Sequence, residues 1–197
     1  MTRAGRFVAV FVITVAALSL ASKPAAAQQG SFERPFALGG KVAMDLSAGD
    51  YTIQPGREDR ILVRWETRSA DEAAGVRIDI RRNGSAATLT TKGPHNNFRV
   101  VVEVPAHTDL RVDLSAGDLK IHGISGNKDV GSWAGDIDID IGDAKEYASI
   151  DVAVKAGDIN ARPLNVSKGG LFRSFTWKGP GRNTLRVRLT AGDLKLL

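Results

Sequence analysis

The 197-residue chain contains no cysteine, which excludes disulfide staples, thiolate-held zinc, iron–sulfur clusters and a lipid-modified N-terminal Cys. Nor does it hold an apolar run as long as the ~20 residues that cross a bilayer; the longest covers residues 7–20. No sustained helical period follows it, and Gly-x-Ser-x-Gly, His-Glu-x-x-His and phosphate-cradling glycine loops are all missing. Charge of one sign is also scarce. Basic residues exceed acidic ones 27 to 22, and Arg3, Arg6 and Lys23 lie at the extreme N-terminus. From Gln28 onward the excess falls to 24 against 22, too small for the basic face that nucleic acid requires. With 43% hydrophobic and 25% charged residues, the composition is that of a globular domain rather than a disordered chain.

The N-terminus has the grammar of an export signal. Arg3 and Arg6 precede the apolar run, and Ala25-Ala26-Ala27 supplies small residues for a signal peptidase. Residues 1–27 therefore read as a cleaved signal peptide, with the mature protein periplasmic or secreted and without a transmembrane anchor. Residues 28–40 read as a linker, and residues 41–197 as one domain.

That domain is patterned for strands. Ile61, Val63 and Trp65 alternate with polar neighbours, as do Val76, Ile78 and Ile80, and Phe98, Val100, Val102 and Val104. Pro55-Gly56, Asn83-Gly84, Gly93-Pro94, Gly126-Asn127, Gly169-Gly170 and Gly179-Pro180-Gly181 punctuate them as turns. Residues 69–74 hold the one short helical turn the pattern admits.

Ala-Gly-Asp occurs five times, with its glycine and aspartate at Gly49-Asp50, Gly117-Asp118, Gly135-Asp136, Gly157-Asp158 and Gly192-Asp193. Apolar residues usually precede the Ala by two and four positions, as Val112 and Leu114 do, with the third copy weaker at Val130 and Ser132, and follow it by three and five, as Leu119 and Ile121 do. Strict alternation cannot change parity without a break, so each Gly-Asp is expected to be a corner that keeps the apolar side inward. Glycine supplies positive φ, aspartate an Asx-turn acceptor, and alanine a small inner side chain. Serial corners of this kind predict a single right-handed β-solenoid, each coil stacking on the next. The Ala-to-Ala spacings of 68, 18, 22 and 35 are irregular enough that a two-sheet β-sandwich is the alternative. Residues 171–178, with aromatics at both parities, are expected to cap an exposed end.

Val102-Glu103-Val104-Pro105, Asp109-Leu110-Arg111-Val112, the run Ser115-Ala116-Gly117-Asp118-Leu119-Lys120-Ile121 and Gly123-Ile124-Ser125-Gly126 resemble the bacterial putative-adhesin domain family. The resemblance spans residues 41–197, with Ala before each Gly where Ser or Thr is common. It implies an exported β-helical module of unassigned function, with no assigned catalytic residue.

Chemistry-bearing candidates are few. One carboxylate per corner falls short of the about six to eight oxygen ligands of Ca²⁺, so no metal or other cofactor is assigned. His95, His107 and His122 lack ligand spacing. Asp138 and Asp140 share one strand face and would serve a β-helical polysaccharide lyase or hydrolase, the alternative to a non-enzymatic binding module. Trp133 replaces the small or polar residue of other copies at an outward position and suits stacking on a sugar or partner. Arg111, Arg186 and Arg188 also point outward and are expected to form a basic stripe if the strands stack in register. The expected partner is an envelope glycan or another surface protein.

Overall fold

A computed structural model of the chain describes residues 27–197. The expected signal peptide lies outside the described residues, apart from Ala27. Residues 28–35 are not linker: they form β1 (Gln28–Pro35), antiparallel to β4 (Arg60–Thr67). With only Phe32 apolar among charged and polar neighbours, that segment carries no alternation to betray a strand.

Five strand pairs make the centre of the molecule. They are β2 (Lys41–Leu46) with β3 (Asp50–Pro55), β8 (Asp109–Leu114) with β9 (Leu119–Ile121), and β10 (Lys128–Ala134) with β11 (Ile137–Ile139). The remaining two are β12 (Tyr147–Ala156) with β13 (Ile159–Ala161), and β16 (Asn183–Ala191) with β17 (Leu194–Leu196). An Ala-Gly-Asp corner joins the members of each pair and carries the chain from one sheet to the other. The first members pair in parallel in the order β2-β8-β10-β16-β12, and the second members in the matching order β3-β9-β11-β17-β13.

Further strands flank this centre, parallel to it at one end and antiparallel at the other. β7 (Arg99–Val104) and β4 extend one sheet toward β1, and β14 (Val166–Lys168) closes its other end. The second sheet runs from β15 (Leu171–Lys178), beside β12, to β6 (Ala86–Lys92) and β5 (Arg77–Asn83), which form a hairpin through Gly84. The sheets have nine and eight strands. A short helix, α1 (Ala70–Ala74), starts at Ser69, whose side chain accepts the Glu72 N–H.

This architecture corrects the solenoid expectation. A solenoid stacks its coils in chain order, whereas β16–β17 sits between the pairs β10–β11 and β12–β13. The gap between the first two corners holds the antiparallel strand β4 and the β5–β6 hairpin, and only one further parallel pair, since β6 joins β2 and β7 joins β3 in parallel. Two open mixed sheets face each other, which is the sandwich alternative. The long excursion through residues 162–182 makes the insertion feasible, because a parallel strand needs a long return connection.

Parity works as the alternation requires. β8 is buried at Leu110, Val112 and Leu114, and after the corner Leu119 and Ile121 are buried. The inward rows of both sheets merge into one core, in which Tyr51 meets Phe98 edge-to-face at 6.1 Å and places its hydroxyl 2.7 Å from Thr91 Oγ1. The outward rows of the eight-stranded sheet are left on a broad face, and that face carries the candidate site.

Candidate functional site

The corners stack along one edge in the order Gly49, Gly117, Gly135, Gly192, Gly157. Gly117 N–H donates to Ala134 O at 2.9 Å, Gly135 N–H to Ala191 O at 3.0 Å, and Gly192 N–H to Ala156 O at 2.9 Å. A Cβ on Gly135, whose φ is +112°, would lie 2.1 Å from Gly117 O, so both the backbone angle and the neighbouring carbonyl demand glycine. Three of the five aspartates act between corners rather than within their own turns. Asp118 Oδ1 accepts the Asp136 N–H at 3.2 Å, Asp136 Oδ1 accepts the Asp193 N–H, and Asp193 Oδ1 accepts the Asp158 N–H, the latter two at 2.9 Å. Each carboxylate thus satisfies a donor on the next strand pair. Asp50 is exposed at the other end of the row. Among the described residues no cluster of three or more His, Cys, Asp or Glu has the arrangement of a metal site.

The paired acids of the enzymatic alternative are occupied differently. Asp138 lies in register between Lys120 and Lys195 on the nine-stranded sheet, with Lys195 Nζ 3.8 Å from Oδ1. Asp140 Oδ1 accepts the Gly142 N–H at 2.9 Å.

On the eight-stranded face, register separates the arginines. Arg111 stands opposite Asp129, Asp129 opposite Arg186, and Arg186 opposite Asp151. Alternating charge, not a basic stripe, is the result, because each neighbouring strand contributes the opposite sign at that level. Arg111 Nε also lies 3.3 Å from Asp113 Oδ2, and Arg188 Nη1 lies 3.9 Å from Asp129 Oδ1.

One row nearer the corners the face becomes a site. Asp45, Asp113, Gly131 and Arg188 occupy successive strands at one level. Gly131 points no side chain outward, leaving a gap in the row. Beside the gap Trp133 stands 69% exposed, with Ser115 just past the end of β8 and Thr190 on β16. Together they bound an open, shallow hollow of about 340 Å³. Trp133 and Arg188 are thus brought together, whereas Arg111 and Arg186 lie a level away. The sequence reasoning missed Asp45, Asp113 and Gly131; the one available signal was a glycine at an outward position of an alternating strand.

A buried lysine lies between the sheets near the far end of β10. Lys128 shares its inward row with Val42, Leu110, Leu185 and Ile150, and its Nζ donates to Tyr147 Oη at 2.8 Å. Burial drives its pKa down to about 8, against the opposing pull of Glu146, Asp140 and Asp109. Burial raises the Tyr147 phenol to about 12, with Glu146 and Asp140 adding to it.

No protein-family model matches this sequence, and no curated protein does either. Among solved structures, a putative cell adhesion protein from Clostridium sporogenes is similar at 15% identity over 86% of this chain and 99% of that one, with a TM-score of 0.57. A putative adhesin from Parabacteroides distasonis is 10% identical over 86% of this chain and 70% of that one, with a TM-score of 0.27. A putative adhesin from Bacteroides fragilis is 9% identical over 86% of this chain and 97% of that one, with a TM-score of 0.29. The Clostridium sporogenes likeness is one of fold: this chain shares its all-β architecture with a protein named for cell adhesion.

Proposed function

We propose that the protein is a non-enzymatic, exported, adhesin-like module that binds a neutral envelope saccharide on the face of its eight-stranded sheet. The observation that carries this reading is Trp133, a large exposed aromatic beside a gap floored by Gly131 and rimmed by Asp45, Asp113, Arg188 and Thr190. An indole face stacks on the C–H face of a pyranose, while planar carboxylates and a guanidinium pair with adjacent hydroxyls. Openness suits a polymer lying across the strands rather than a small molecule enclosed by them. Charge balance favours a neutral chain, because Asp45, Asp113 and Asp129 offset Arg111, Arg186 and Arg188. The shared fold with the Clostridium sporogenes protein and the export-signal pattern both support a role at the cell envelope.

Immobilised neutral and anionic envelope polysaccharides, probed with the protein from Gln28 onward, test the reading. Binding to neutral polymers is expected to fall at least about tenfold in Trp133→Ala and in Gly131→Val, which fills the gap. Binding that survives both substitutions, or that follows anionic polymers alone, refutes it.

A further inference from the structure

A second exposed apolar element lies at the end of the sheets, where Gly169-Gly170 carries the chain from β14 to β15. Leu171 is 64% exposed and Phe172 79% exposed. Two cationic side chains fasten the bend behind them: Lys168 Nζ donates to Ser174 O at 2.7 Å, and Arg173 Nε donates to Gly169 O at 2.6 Å. Gly157 N–H donates to Gly170 O at 3.2 Å, which ties the bend to the corner stack. The tip is therefore anchored on three sides while its two largest side chains face solvent. Phe172 has a φ of +53°, a region that bulky L-residues avoid. Glycine would be relaxed there, yet the position holds a phenyl ring that packs on nothing in the core.

Charge around the tip is of one sign. Residues 161–182 hold Arg162, Lys168, Arg173, Lys178 and Arg182 and no Asp or Glu, in a chain otherwise nearly balanced. Lys155 lies on β12 between the residues that pair with Leu171 and Arg173, and is exposed. The Asp158 carboxylate stands beside Gly169, one acid against Lys155, Lys168 and Arg173.

We propose that this tip docks the protein on an anionic phospholipid surface, with Leu171 and Phe172 entering the interface and Lys155, Lys168 and Arg173 facing lipid phosphates. An aliphatic Leu offers a saccharide neither a stacking plane nor a hydrogen bond, but it gains by leaving water for hydrocarbon. Cations flanking an apolar tip keep their heads at the phosphate level while their stems lie along the apolar surface. The docking site is separate from the Trp133 hollow and stands or falls without it.

The test is co-sedimentation of the protein from Gln28 onward, which holds every described strand, with vesicles of phosphatidylcholine alone or with about one-third phosphatidylglycerol. Anionic vesicles are expected to bind it and neutral ones to bind it at least about tenfold more weakly. Leu171→Ser and Phe172→Gly are each expected to cut binding at least about tenfold. Phe172→Gly is also expected to leave the melting midpoint at or above the parent value, because it relieves the positive φ. Lys155→Gln should cost about fivefold, and Trp133→Ala should leave vesicle binding unchanged. Absence of binding to anionic vesicles overturns the proposal, as does binding indifferent to Phe172→Gly, which would mark mere charge attraction. A dimer in vesicle-free solution that dissociates in Leu171→Ser would assign the tip to a second copy and overturn it equally.

Discussion

The corner stack and the row immediately before it are one residue apart in sequence, yet they obey different rules. The glycine of each Ala-Gly-Asp corner repeats without variation because its neighbour in the stack leaves no alternative: a Cβ on Gly117, Gly135 or Gly192 would lie 2.1 Å from a carbonyl oxygen. The position before the Ala is Ser47, Ser115, Trp133, Lys155 or Thr190, and the fold accepts all five. The repeat thus acts as an internal control. What is identical in every copy answers to folding, and what differs at an exposed position is free to serve binding. Trp133 is the extreme member of that variable set.

The largest effect expected from breaking this contrast is at Gly135. Gly135→Ala combines a steric clash with backbone at positive φ, and should destabilise by about 3 kcal/mol or more. Gly142→Ala is the paired control: its φ is +59°, but nothing lies within 4 Å of an added Cβ, so about 1 kcal/mol is expected. Thermal melts of the two variants separate packing from strain, and equal losses would contradict the stacked-glycine account.

Lys128 sharpens the contrast from inside the core. Its folded pKa of about 8 lies below the ordinary lysine value of 10.5, so the unfolded chain binds more protons between those values. Stability should therefore rise as pH climbs above 8, by about 2 kcal/mol at pH 10. Above pH 10 the trend reverses, because the Tyr147 phenol stays protonated up to about 12 in the fold while the unfolded phenol ionises earlier. Chemical denaturation across pH 7–10 should show the rise in the parent and a flat profile in Lys128→Met; the same rise in both would place its origin elsewhere.

A smaller loss is expected in the carboxylate ladder. Asp136→Ala removes the acceptor of the Asp193 N–H and should cost about 1 kcal/mol, whereas Asp136→Asn keeps an oxygen there and should cost a few tenths. Denaturant midpoints distinguish them. Trp133→Ala should change stability by no more than about 0.5 kcal/mol, as an exposed residue outside the core. A larger loss would make Trp133 a structural residue and remove the reason to place a ligand there.

Local geometry was legible in the sequence to the extent that it depends on neighbours in the chain. The parity change at each corner, the outward position of Trp133 and the helical turn at Ser69 all follow from spacing alone. Strand order does not. Leu185, Val187 and Leu189 of β16 would pack equally well beside several parallel strands, and no local signal places them between β10 and β12. The arginine stripe failed for the same reason: Arg111 and Arg186 both face outward, but the strand between them brings Asp129 to the same level. Parity counted back from Ala134 puts Lys128 in the apolar row, a charge at an inward position that went unread in the sequence. Its partner Tyr147 belongs to another strand and could not be read from spacing.

Ligand contact should be confined to the face around Gly131. Backbone amide shifts recorded while a bound neutral oligosaccharide is titrated in test this residue by residue. The expected result is a set of shifts centred on Asp45, Asp113, Gly131, Trp133, Arg188 and Thr190, with the Trp133 indole N–H among the largest. Shifts centred elsewhere, with the Trp133 indole unmoved at saturation, would contradict the proposed site.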